Sequence, residues 1–95
     1  MALDLYHGGV INHMRVWNKR TEKPPKDAVY VGRPTKWGNP FSMRSEADRN
    51  MVCDAFEREI LPTLDVSSLK GKDLICWCAP LRCHADSILQ KANGA

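Results

Sequence analysis

Cys76, Cys78, Cys83 and His84 form the densest group of reactive side chains in this chain. Thiols and an imidazole at this spacing suggest three kinds of chemistry. The first is a zinc ion held by all four as a Cys3His set. Against it, C-x-C followed by an adjacent Cys-His is not a common knuckle spacing, and no C-x-x-C pair accompanies it. No metal is therefore expected, and zinc on these four residues is kept as the alternative. The second is nucleophilic catalysis by a Cys83 thiolate beside His84. Cys83 stands where a helix is expected to begin, and a helix N-terminus lowers the pKa of a nearby thiol. Cys83 and His84 are thus the catalytic candidates if the chain has chemistry. The third is structural: Cys76 would pack as a small hydrophobe, and Cys53 likewise. Cys76 to Arg82 also spells C-x5-R, but no glycines shape that loop and Pro80 removes a donor, so the match is set aside.

A second group, Gly32-Arg33-Pro34-Thr35-Lys36-Trp37-Gly38-Asn39-Pro40-Phe41, combines cations, an aromatic ring and an amide on a loop stiffened by prolines. Such residues suit a base or a phosphate. Arg33 and Lys36 would hold the phosphate, Trp37 would stack or wall the pocket, and Asn39 would fix the loop or read the ligand. Gly32 and Gly38 permit backbone shapes that side chains forbid. The alternative is a scaffold loop in which Trp37 and Phe41 plug the core and Asn39 braces the turn. Arg33 is hardest to assign to the scaffold, because it follows directly on an expected buried strand.

The elements that must position these groups are legible in outline. Residues 14–18 alternate and predict a strand, 28–32 a second, and 72–78 a third. Both faces of the third are apolar, with Cys76 and Cys78 on one side and Ile75 and Trp77 on the other, so it is expected to be central and buried. Ser45-x-x-Asp48 resembles a capping box opening a helix that Pro62 ends. Its expected apolar stripe is Ala47, Met51, Val52, Ala55, Phe56 and Ile60. Glu59 falls inside the stripe, either snorkelling or facing a cleft. A second helix is expected over about 84–92, with no Ser, Thr or Asn at its cap and Asn93-Gly94 as its stop.

A strand-helix-strand crossover of this length makes the second and third strands parallel. Ligands in such sheets bind outside the carboxyl ends of the strands. Both residue groups would then share one edge, with Arg33 close to the start of the second helix. An anion between that cation and the helix N–H groups would suit both.

At these residues the chain resembles a small uncharacterised domain family of bacteriophages and bacteria, a domain of unknown function. The resemblance rests on Val29-Tyr30-Val31-Gly32-Arg33-Pro34-Thr35-Lys36-Trp37-Gly38-Asn39-Pro40-Phe41, then on Leu69-Lys70-Gly71-Lys72 and Cys76-Trp77-Cys78-Ala79-Pro80-Leu81-Arg82-Cys83-His84. It covers roughly residues 14–92 and implies a stand-alone, often phage-encoded domain. It brings no established activity.

Length and charge bound what remains. At 95 residues the chain is one domain at most. It reads as a loosely patterned arm over 1–13 and a single α/β domain over 14–95, with a sheet of three strands or slightly more and two helices. No apolar run reaches membrane-spanning length, and the first residues hold no signal-peptide pattern, so a cytoplasmic protein is expected. Residues 1–44 carry eight Lys or Arg against three acids, a balance of +5. Residues 45–66 carry two against six, a balance of −4. A basic N-terminal half suits a phosphate-bearing partner. The expectation is a pocket between the 33–41 and 78–84 loops that binds a nucleotide or nucleic acid, without a cofactor. The alternatives are a phage module that captures a host protein without chemistry, and a zinc-stabilised structural module.

Overall fold

A computed structural model describes residues 14–94. The expected arm over 1–13 lies outside the described residues. Three short strands form the sheet: β1 (Val16–Asn18), β2 (Val29–Tyr30) and β3 (Leu74–Cys76). Their order is β1-β3-β2, and both pairings are parallel. Val16 and Val29 each lie opposite Leu74, and Trp17 and Tyr30 opposite Ile75. The third strand of the chain is therefore central, as its apolar sequence predicts.

Alternation divides the sheet into two unlike faces. Val16, Leu74 and Cys76 point into the core and are at most 1% exposed. Trp17, Tyr30 and Ile75 occupy the other face and are only half-buried. The core is closed by α2 (His84–Asn93), whose Ala85, Ile88 and Leu89 are fully buried, and by Phe56, Val66 and Leu69.

Trp77 departs from expectation. The strand stops at Cys76, and Trp77 is 49% exposed. The reason lies in the next residues: the Cys78 N–H donates to Cys76 Sγ at 3.4 Å, and the Leu81 N–H to the Cys78 carbonyl at 2.8 Å. The chain turns at Cys78, so the alternation that would bury Trp77 ends before it.

The first helical segment also differs. It runs as a 3-10 turn (Glu46–Asp48), α1 (Arg49–Ala55), a π-helical turn (Phe56–Ile60) and another 3-10 turn (Leu61–Thr63) that contains Pro62. Ser45 makes no side-chain cap, and the Asp48 carboxylate accepts instead from the Arg44 N–H at 3.0 Å. The buried residues are Val52, Cys53 and Phe56; Ala47 and Met51 are exposed. Tightening before α1 and widening after it shift the buried face from the stripe that a uniform helical period predicts. Glu59 pairs with Arg58 at 3.0 Å on the surface and does not face the cleft. Among the described residues, no helix is long and apolar enough to cross a membrane.

Candidate functional site

Beyond the carboxyl ends of β2 and β3 lies a cavity of about 200 Å³. Gly32, Arg33, Asn39 and Phe41 line it from the first loop. Trp77, Cys78, Arg82 and Cys83 line it from the second, with Cys76 and His84 at the flanking ends of β3 and α2. Arg49, Val52 and Cys53 complete it from α1. The peptide bonds before Pro34 and Pro80 are cis.

Arg33 is exposed, and its Nη1 donates to Ser42 Oγ at 3.3 Å. Among the described residues it pairs with no carboxylate, neither Glu59 nor Asp86. Gly38 sits directly behind it: a Cβ there would lie 2.8 Å from Arg33 Cγ and 3.0 Å from its Cα. A side chain at position 38 would therefore displace Arg33. Asn39 braces the loop, with Nδ2 donating to the Val52 carbonyl at 3.1 Å and Oδ1 accepting from the Phe41 N–H at 2.9 Å.

Lys36 and Trp37 are corrections, since neither lines the cavity. Trp37 packs against the core, and its Nε1 donates to the Asp65 carbonyl at 3.4 Å. Lys36 Nζ lies over the Trp37 ring, 5.0 Å from its centroid. Both side chains are thus carried away from Arg33.

Two further cations, Arg49 and Arg82, line the cavity. Arg49 pairs with Glu46 at 2.7 Å and donates from Nη1 to the Arg82 carbonyl at 2.8 Å. Arg82 pairs with Asp54 at 2.9 Å and Glu57 at 3.1 Å. Arg49, Val52 and Cys53 stand at i, i+3 and i+4, the spacing of one helix face, and that spacing was the signal for Arg49. These pairs hold α1 against the 78–83 loop and leave Arg33 with its charge unmatched.

The start of α2 is not open. Cys83 is its N-cap residue, and its carbonyl accepts from the Asp86 backbone N–H at 3.0 Å. The Asp86 carboxylate accepts in turn from the Cys83 N–H at 3.0 Å. The Asp86 side chain thus supplies the acid half of a capping box. Two N–H groups expected to hold an anion are therefore already satisfied.

Cys83 and His84 form the floor and are 4% and 8% exposed. His84 Nε2 lies 2.8 Å from the Val31 carbonyl, which can only accept, so Nε2 carries the proton. Burial, with a smaller push from Arg33, holds the His84 pKa below the usual histidine value, leaving a neutral ring at neutral pH. Its Nδ1 lies 3.3 Å from Cys83 Sγ, and Phe56 meets the ring edge-on at 5.1 Å between centroids. His84 thereby ties the start of α2 to the end of β2.

Cys76, Cys78 and Cys83 all line the cavity. Cys78 is the half-buried member. Hydrogen bonds from Cys76 and Cys83, and then from the Arg49 guanidinium, pull its pKa well below the ordinary thiol range. Cys83 is pushed up by its bonds to the other two sulfurs and by burial, and keeps its proton. Cys78 is also more accessible than Cys83, which is only 4% exposed. Among the described residues, no group of three or more His, Cys, Asp or Glu is arranged to hold a metal ion.

No curated protein and no solved structure matches the chain. A family model described as "Domain of unknown function (DUF4326)" matches residues 14–94, which take in both pocket loops and every strand and helix described above. The chain belongs to that domain family.

Proposed function

We propose that the cavity between the 33–41 and 78–84 loops binds a phosphate-bearing ligand, a nucleotide or nucleic acid. One observation carries this reading. Arg33 lines a cleft at the carboxyl edge of a parallel sheet, and among the described residues it has no carboxylate partner. Edges of this kind are where open α/β sheets bind ligands. Because Cys83 and Asp86 cap α2, the phosphate is held by Arg33 in the main, with Arg49 and Arg82 adding positive potential from behind their acids.

The test is calorimetric titration with inorganic phosphate and with a nucleoside monophosphate. Arg33→Ala should weaken binding by roughly tenfold or more, the scale of a lost charge-assisted bond. Its melting temperature should stay close to that of the parent, since Arg33 is exposed and unpaired. Equal affinity of both proteins for these ligands would refute the assignment of Arg33.

A second reading is favoured by Cys78, which is half-buried in the pocket wall with Arg49 at its sulfur. Here the pocket is catalytic, and Cys78 is the nucleophile in place of Cys83. Iodoacetamide at neutral pH should then alkylate Cys78 first, faster than a free thiol and more slowly in Arg49→Gln. A Cys78 that reacts no faster than a free thiol would exclude this reading. Capture of a host protein without chemistry has no specific observation in its favour.

A further inference from the structure

We propose that Trp77 is a stacking surface for an unpaired nucleobase whose phosphate lies beside Arg33, which makes the ligand of the pocket a nucleoside phosphate. The inference rests on the phosphate reading above and adds to it the part of the ligand that confers selectivity.

Trp77 lines the same cavity as Arg33 and is 49% exposed. An indole left this far in water is unusual in a small domain whose other large apolar side chains are mostly covered. The ring is nonetheless fixed. Its Nε1 donates to the Tyr30 hydroxyl at 2.8 Å, and that hydroxyl donates to the Arg33 carbonyl at 2.9 Å. Tyr30 and Trp77 meet edge to face, with centroids 6.5 Å apart and planes at 85°. The polar end of the indole is therefore occupied, and what it offers a ligand is a flat face.

The same hydrogen-bond chain sets the stacking ring in register with Arg33. A base and its phosphate on one ligand need such a pair, an aromatic face and a cation fixed relative to each other. A phosphate without a ring would use Arg33 alone. Lys19 adds a second cation: its Nζ lies 5.6 Å from the Tyr30 centroid and 5.9 Å from that of Trp77. Among the described residues Lys19 forms no ion pair. Cation and ring together suit a base with phosphates on either side more closely than a purely apolar group. Such a ligand could be a free nucleotide or the end of a single strand, which present the same chemistry.

The full chain is titrated calorimetrically with ribose 5-phosphate, adenosine monophosphate and a short 5′-phosphorylated oligodeoxyadenylate. Circular dichroism checks the fold of each variant. Adenosine monophosphate should bind roughly tenfold or more tightly than ribose 5-phosphate, the gain that stacking supplies. Trp77→Leu should erase that difference, whereas Trp77→Phe, which keeps a ring but loses the Nε1–Tyr30 bond, should retain part of it. An oligonucleotide that binds more tightly than the mononucleotide identifies a strand end as the source; equal affinity identifies the free nucleotide. Equal binding of ribose 5-phosphate and adenosine monophosphate overturns the stacking role and leaves the phosphate reading standing. A Trp77→Leu protein that keeps the base preference overturns it as well. Failure of all three ligands to bind removes both readings.

Discussion

Phe56→Ala should destabilise the protein by about 3–5 kcal/mol, the range for deleting a fully buried aromatic side chain. Phe56 is 0% exposed and belongs to the single core cluster. Its ring also meets the edge of His84, so truncation opens a void beneath the residue that joins α2 to β2. A domain of this size has a stability of order 5–10 kcal/mol. The variant should therefore unfold at a much lower urea concentration, or populate unfolded chain at room temperature. A midpoint close to that of the parent would show that the core closes around the gap or that Phe56 does not sit in it. Sequence alternation assigns the largest such loss to Trp77, but a ring half in water has far less to lose.

Asn18→Ala should cost about 3 kcal/mol through hydrogen bonding alone. Asn18 is 7% exposed and makes four hydrogen bonds with one side chain. Its Nδ2 donates to the carbonyls of Trp77 at 3.1 Å and Ala79 at 2.9 Å. Its Oδ1 accepts from the N–H groups of Arg20 at 2.8 Å and Thr21 at 3.2 Å. Alanine leaves the buried Ala79 carbonyl and three part-buried groups without these partners and frees the 77–79 segment that walls the cavity. Asn18→Asp separates the causes. A carboxylate keeps the two accepted bonds but turns its second oxygen against two carbonyls, so at neutral pH the loss should match or exceed that of alanine. Protonation restores one donor. The folded state then binds its proton more tightly than the unfolded chain does, and stability relative to the parent should recover as pH falls toward the carboxyl range. A pH-independent gap between Asn18→Asp and the parent would mean that this side chain does not face those carbonyls. Urea unfolding across a pH series measures both.

The parts of the fold that depend on connection length and apolar content could be read from the residues. The crossover from β2 to β3 is long enough to allow a parallel pair, and the apolar run that opens at Leu74 after Lys72-Asp73 marks a buried strand. The position of the site followed from that topology: Arg33 and Cys83 come to one edge because both follow parallel strands. The remaining differences have local causes. Burial of Trp77 required the strand to continue past Cys76, and a turn made by a thiol and two backbone groups is not visible in side-chain alternation. Lys36 and Trp37 share a loop with Arg33, but linear proximity in an irregular loop does not fix direction, and theirs is set by Asp65 and the core. Arg49 and Arg82 pair with acids of the 46–57 segment, and only the folded chain brings both to the cavity. The start of α2 reads as open because no Ser, Thr or Asn precedes it, although Asp86 at the third helical position is the acid half of a capping box.

The strand order β1-β3-β2 also determines when the sheet can exist. Both outer strands precede the central one, and neither touches the other. Val16 and Val29 must wait for Leu74, so every ladder bond among the three described strands closes a long loop. During synthesis, β1 and β2 leave the ribosome without a partner, and the chain gains its sheet only when Leu74 to Cys76 follow. The residues that complete the sheet are continuous with the Trp77–His84 wall of the cavity. Folding of the sheet and closing of the cavity are thus one event, set by residues 74–84.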